Sequence, residues 1–416
     1  MDALDYFCTL YQKRTGIQCT RMDWAHLIPV TEKMSVLFGA DRALRQLHQH
    51  VSCSEHKTAF RLDDVARCVV DILSRQEECV HPSLDRQGRY DGHQSGLVAL
   101  GLGHEPIVDQ LMQRCAEVLG HPWNPLSAFD GVKAIIGLSH DVDRVDGFSY
   151  LPMRYGYWLG RAGLSLFGGQ WSAARRWYGR YCSWRSYSDD PLFAFDRWMA
   201  LESEYDVRST FFFMSLKRGL SIEGRRYTVT DPRIKRVVRQ LVDNGWEVGL
   251  HAGRHNAQSL AWLKDQKRRL EDVAGVAMDG CRQHWLNIRL PESWELYHQA
   301  GFKYSSNMGW TPELQGFRAG TALPYPVPGF SGLYEIPFQM MDRMVIQDPG
   351  HHVALFDTFL KQIKAIHGCL VLDFHQEYFD PIESPGVGDV YRTILQRIRS
   401  DTEIIALPLG AFIADF

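Results

Sequence analysis

From Lys133 onward the chain alternates short apolar runs with stretches of helical periodicity. Arg208 to Ser215 precedes Arg233 to Asn244, Trp246 to Leu250 precedes Ser259 to Val273, and Gly280 to Leu286 precedes Glu292 to Ala300. Further apolar runs follow at Phe302 to Ser306, Tyr334 to Phe338, Gly368 to His375 and Glu403 to Leu407. Repeated strand-helix units predict a mostly parallel sheet, either a barrel or doubly wound. The first 130 residues lack that rhythm: helices are expected at Leu62 to Gln76 and Pro106 to Leu119, separated by polar loops such as Asp85-Arg86-Gln87-Gly88-Arg89.

One stretch interrupts the alternation. Between Gly147 and Ser188 there is no Asp or Glu, while Arg154, Arg161, Arg175, Arg176, Arg180 and Arg185 are interleaved with Trp158, Trp171, Trp177 and Trp184. Two readings stand for this helical insertion, at about 148–190. Its aromatics pack on the rest of the protein, or it meets an anionic or lipid-linked substrate or a membrane surface, since tryptophan and arginine suit an interface.

Length and charge narrow the class. At 416 residues the chain exceeds one average domain, so two are expected. A formal charge of -3 and a pI near 6.6 argue against a nucleic-acid partner, which needs a clustered basic face. Nine cysteines with no Cys-x-x-Cys pair suggest neither a disulfide framework nor a thiolate metal site. The N-terminal residues lack the pattern of a signal peptide, and no run approaches the roughly 20 apolar residues of a membrane helix. A cytoplasmic location, with membrane association left open, is the resulting expectation.

Candidate chemistry sits where the apolar runs end. Asp141 and Asp143 follow Ala134 to Leu138, and side chains two apart in an extended strand point the same way. His251 and His255, after Trp246 to Leu250, have the i, i+4 spacing that lets both imidazoles reach one cation. Two histidines and one carboxylate are a usual catalytic zinc set, leaving one acid for chemistry. Arg282 and His375 also end apolar runs, at the face where barrels build their active sites. His140 alternates away from Asp141 and is expected behind the sheet.

In order, these motifs resemble the polysaccharide deacetylases of carbohydrate esterase family four. Ser139-His140-Asp141-Val142-Asp143 is similar to the family's Asp-x-Asp, and Glu247 to His255 carries its His-x-x-x-His. Gly280-Cys281-Arg282-Gln283-His284 occupies the place of an arginine motif, with His284 where the family has proline. Leu372-Asp373-Phe374-His375 matches a late Leu-x-x-His. Gly316 to Thr321 and Glu335 to Phe338 are similar to a bacterial subgroup that carries an N-terminal domain of unknown role.

The resemblance implies an α/β fold: a distorted (β/α) barrel over 131–416 with a smaller N-terminal α/β domain over 1–130. It implies Asp141 as general base, Arg282 as its orienting clamp and His375 as acid, with Asp143, His251 and His255 holding a divalent metal, most simply Zn2+. Asp342 and Asp373 are both candidates to orient His375. His284, Trp285 and Arg318 are expected at the substrate wall or behind the site. The implied activity is N-deacetylation of an N-acetylated sugar or oligosaccharide in bacterial surface or exopolysaccharide assembly. Hydrolysis of another amide and a weakly catalytic carbohydrate-binding scaffold are the alternatives.

Overall fold

A computed structural model describes residues 2–18, 24–31, 34–35, 37, 59–80, 82–145, 151–183, 190, 192–217, 227–254, 259–310, 314–345 and 348–415. After a two-stranded antiparallel pair, β1 (Leu27–Pro29) with β2 (Ala59–Arg61), ten strands form one curled sheet. They are β3 (Ala134–Val142), β4 (Thr210–Met214), β5 (Glu247–Ala252), β6 (Gly280–Gln283), β7 (Tyr304–Ser305), β8 (Tyr325–Pro326), β9 (Tyr334–Glu335), β10 (Met340–Met341), β11 (Gly368–Asp373) and β12 (Ile404–Leu407). The order is β10-β11-β3-β4-β5-β6-β7-β9-β8, with β12 paired to β3. Only the β8–β9 pairing is antiparallel, so the sheet is a half-barrel left open between β10 and β8.

β3 is the centre of this sheet. One of its edges carries β11, and the other is divided between β12 at Ala134–Gly137 and β4 at Ser139–Val142. A strand flanked on both edges and covered on both faces favours apolar side chains, which explains the hydrophobic run Ala134–Leu138 before the polar end Ser139-His140-Asp141. All nine of its residues are buried.

Period-two alternation then sorts side chains between two cores. Ile136, Leu138, Phe211, Phe213, Val248, Leu250, Cys281, Leu370 and Leu372 point outward into the larger cluster beneath the helices. Ile135, Phe212, Tyr304, Phe338, Cys369 and Val371 fill the interior. The helix Leu409–Asp415 plugs the bottom of the barrel with Leu409 and Phe412. Gly137 lets it approach, because a Cβ there would lie 2.6 Å from Leu409 Cδ2.

The N-terminal third packs on the barrel through the same large core, which runs from Tyr6 and Leu10 through Leu62 and Ile107 to Phe317 and Phe359. Two buried ion-pair groups join the parts. Arg14 bonds Asp109, whose carboxylate also accepts from Ala322 N at 2.7 Å. Arg318 pairs with Glu78 at 2.6 Å, and Arg75 donates to the Arg318 carbonyl. The predicted insertion is two helices, Leu151–Phe167 and Trp171–Ser183.

Candidate metal and catalytic site

Continuing the inward alternation to the strand C-termini brings the polar side chains together. Ser139 and Asp141 on β3, His251 on β5, Arg282 on β6 and Asp373 on β11 share the inner face, above the apolar filling. Asp342 and His375 follow the parallel neighbours β10 and β11. His140, on the outer face, is buried between Glu202 Oε1 and the Phe374 carbonyl, 2.8 Å from each, as alternation predicts.

Arg282 is fully buried and organises the centre. Its guanidinium carbon lies over the rings of Phe212 and Phe338, 4.6 and 4.8 Å from their centroids, cation–π contacts that suit the delocalised guanidinium better than an ammonium. A single nitrogen, Nη1, donates to Asp141 Oδ1 at 3.1 Å, Asp373 Oδ1 at 2.8 Å and Ser139 Oγ at 2.8 Å. Asp141 therefore receives a single hydrogen bond from Arg282, to Oδ1. Nη2 and Nε go instead to the hydroxyl and carbonyl of Ser306, at 2.9 and 3.0 Å.

That sharing separates the two acids. Burial pushes the Asp141 carboxyl up, but His251, Arg282 and His375 outweigh it and hold it below the usual range. Asp373 has the same cation beside it but is more deeply enclosed, and burial together with the Asp141 charge raises it. Asp342, not Asp373, orients His375: its carboxylate accepts from Nδ1 at 3.0 Å and from the backbone N–H at 2.6 Å. Burial disfavours the imidazolium, yet the Asp342 charge and hydrogen bond overcome this and raise His375 well above an ordinary histidine.

A second group lies beside the first. One ligand atom from each of Asp143, His251 and His284 falls within 4.8 Å of the others. His251 Nδ1 is 3.1 Å from the Arg282 carbonyl, a contact that requires a proton on Nδ1 and turns Nε2 toward the carboxylates, with a lone pair in the neutral ring and a proton in the imidazolium. That Nε2 is buried without a hydrogen bond, 3.3 Å from Asp143 Oδ1 and 3.7 Å from Asp141 Oδ2. Facing two carboxylates, that nitrogen needs a positive charge beside it, either its own proton or a bound cation, and the two imidazoles and one carboxylate are a donor set that fits a divalent metal. His255 lies outside the described residues.

His284 in this group precedes an unusual turn. Trp285 and Leu286, directly after it, both have left-handed backbone, φ 62° and 52°. Such geometry costs non-glycine residues about 1–2 kcal/mol each. His284 Nε2 itself lies 3.2 Å from Asp143. Trp285 is half-exposed at the rim, with the Arg254 guanidinium 4.3 Å over its ring. Arg318 is not brought here; it is held by Glu78 and the Gly309 carbonyl. Sequence reasoning missed Ser139 and Ser306. The first shares the alternation of Asp141, whereas nothing in the sequence marks the second.

No family model matches the chain, and neither does any curated protein. Solved structures similar to it include one assigned as a polysaccharide deacetylase from Mycobacterium smegmatis, at 19% identity and TM-score 0.43, covering 68% of this chain and 89% of that one. A second, assigned likewise, comes from Pseudomonas aeruginosa, at 14% identity and TM-score 0.44, covering 68% and 91%. A pseudoenzyme of carbohydrate esterase family four from Bacillus anthracis matches at 13% identity and TM-score 0.33, covering 67% of this chain and 65% of that one.

Proposed function

We propose that this chain is a metal-dependent N-deacetylase of the polysaccharide-deacetylase type, acting on an N-acetylated sugar or oligosaccharide. The observation that carries the reading is a ligand group with an orphaned His251 Nε2 at the strand C-termini, beside an acid and a base that have separate, buried partners. Asp143 and His251 would hold the ion, with His255 as the third ligand that the motif implies and His284 in reach of the same position. A divalent ion bound there would polarise the substrate carbonyl and lower the pKa of a bound water.

The protein's own groups account for the proton movements. Asp141, kept ionised by Arg282, accepts the proton of the attacking water. His375, kept protonated by Asp342, returns one to the departing amine, without which an amide nitrogen leaves poorly. Asp141, Asp373 and His375 each place one oxygen or nitrogen within 4.8 Å of the others, so base and acid stand side by side.

The test is acetate release by the Zn2+-loaded protein from a panel of N-acetyl sugars, nucleotide sugars and chitooligosaccharides, with non-sugar amides alongside. Acetate from sugars that disappears in Asp141→Asn supports the proposal. Cleavage confined to non-sugar amides would move the substrate class, in keeping with His284 at the wall. Silence on every amide sinks the enzymatic reading.

A further inference from the structure

We propose that the helical hairpin Leu151–Ser183 docks the protein on the surface of a bilayer containing anionic lipid. Its inner side is an ordinary small core: Trp158, Ala162 and Trp177 are buried together, with Ile382 packed against them. Its tip is different. Around the turn at Gly168-Gly169, Leu164 is 69% exposed, Leu166 47%, Phe167 92% and Trp171 72%. Four large apolar side chains from two consecutive turns thus form one projecting patch. An exposed patch of this kind on a protein surface marks an interaction site.

Charge selects the partner. Arg161, Arg175 and Arg176 are exposed beside this patch, and no acid occurs anywhere from Gly147 to Ser188. Among the described residues no carboxylate pairs with Arg175 or Arg176. An apolar tip within an arginine-only collar complements the acyl boundary and headgroups of an anionic leaflet, where aromatic rings sit at the interface and each basic side chain adds attraction. A protein partner would have to supply both an apolar socket and a ring of acids. Neither helix is long and apolar enough to cross a membrane, so the contact would be peripheral.

Placement gives the contact a use. The hairpin is fastened at its base to the segment that follows His375: Trp158 Nε1 donates to Glu383 Oε1 at 2.8 Å, and Arg180 pairs with Asp380. Asp380 in turn accepts from the Glu383 N–H at 3.1 Å. A membrane-bound hairpin would therefore hold the loop next to the proposed acid close to the lipid surface, where a lipid-anchored chain is presented.

Co-sedimentation tests this without reference to catalysis. The full chain is mixed with vesicles of phosphatidylcholine alone or with about one third phosphatidylglycerol. Binding is expected only to the anionic vesicles, weakening with salt. Leu164→Ser/Phe167→Ser/Trp171→Ser and, separately, Arg175→Gln/Arg176→Gln should each reduce the bound fraction about tenfold or more while leaving thermal unfolding unchanged. Absence of binding to anionic vesicles, or undiminished binding of the triple variant, overturns the proposal. So does light scattering that shows a dimer converted to monomer by the triple substitution, since the patch would then be covered by a second copy.

Discussion

Asp342→Asn isolates the proposed acid. Asp342 gives one oxygen to the His375 backbone and the other to Nδ1, at 2.6 and 3.0 Å, and is itself fully buried. An asparagine fills the same space and can still accept the backbone N–H through its oxygen. Its NH2 then faces Nδ1, which must become an acceptor, so the imidazolium loses its partner. A hydrogen bond to a charged group contributes about 1.5–3 kcal/mol. At about 1.36 kcal/mol per pKa unit, that lowers His375 by roughly 1–2 units.

The sign follows from the raised native value. In the wild type the protonated form persists well above the ordinary histidine range, so the alkaline limb of kcat/KM for acetate release should lie high. In Asp342→Asn that limb should move to lower pH by roughly 1–2 units, a loss of about 10- to 100-fold at alkaline pH and little change near pH 5. Stability should shift in the same sense. The wild-type imidazolium stabilises the fold fully below the unfolded value and ceases to as pH rises through the native one, and the variant lacks that contribution. An unmoved alkaline limb, or an equal loss at every pH with metal content intact, would refute the assignment of His375 as an acid tuned by Asp342.

Other substitutions probe other parts. Arg282→Lys should lower kcat by about 10- to 100-fold with folding retained, because a point charge cannot serve Asp141, Asp373 and Ser306 while lying over the rings of Phe212 and Phe338; steady-state rates check it. Removing the ion with a chelator should lower thermal stability, since an ion at a hundred times its Kd stabilises by about 2.7 kcal/mol. Calorimetry with and without Zn2+ measures this, and His251→Ala should erase the difference. Arg318→Met leaves Glu78 facing Arg75 alone in a buried setting and should cost about 3–5 kcal/mol in urea denaturation without altering KM.

How much of this was legible in the sequence follows from period and range. The strand-helix rhythm announced the sheet, and the alternation around Asp141 separated it from His140, because both are local properties of an extended chain. The choice between Asp342 and Asp373 was not local. Asp373 sits two residues before His375, the better sequence argument, but it is the last residue of β11 and points to Arg282, while Asp342 reaches His375 from the neighbouring strand end. His284 was marked by its place in the arginine motif as a residue of the wall or behind the site, but its approach to Asp143 from a different strand end is a tertiary contact that no local pattern announces. Arg318 misled for the opposite reason. Its partner, Glu78, lies 240 positions away in the N-terminal third, a pairing that only tertiary packing creates.

The single nitrogen of Arg282 that touches both acids also decides how Asp141 and Asp373 share a proton. Two like charges so close cannot both be fully ionised in a buried site, and whichever is better solvated and better paired keeps its charge. Asp141 has His251 and His375 nearby as well as Arg282, whereas Asp373 Oδ2 has no hydrogen-bond partner. The proton therefore settles on Asp373, and Asp141 keeps its charge beside His251. Environments that push two acids apart assign their roles. Asp373→Asn, which mimics the protonated acid, should be far milder for activity than Asp141→Asn, which removes the base; if the two substitutions are equally damaging at neutral pH, the proton has been placed on the wrong carboxylate.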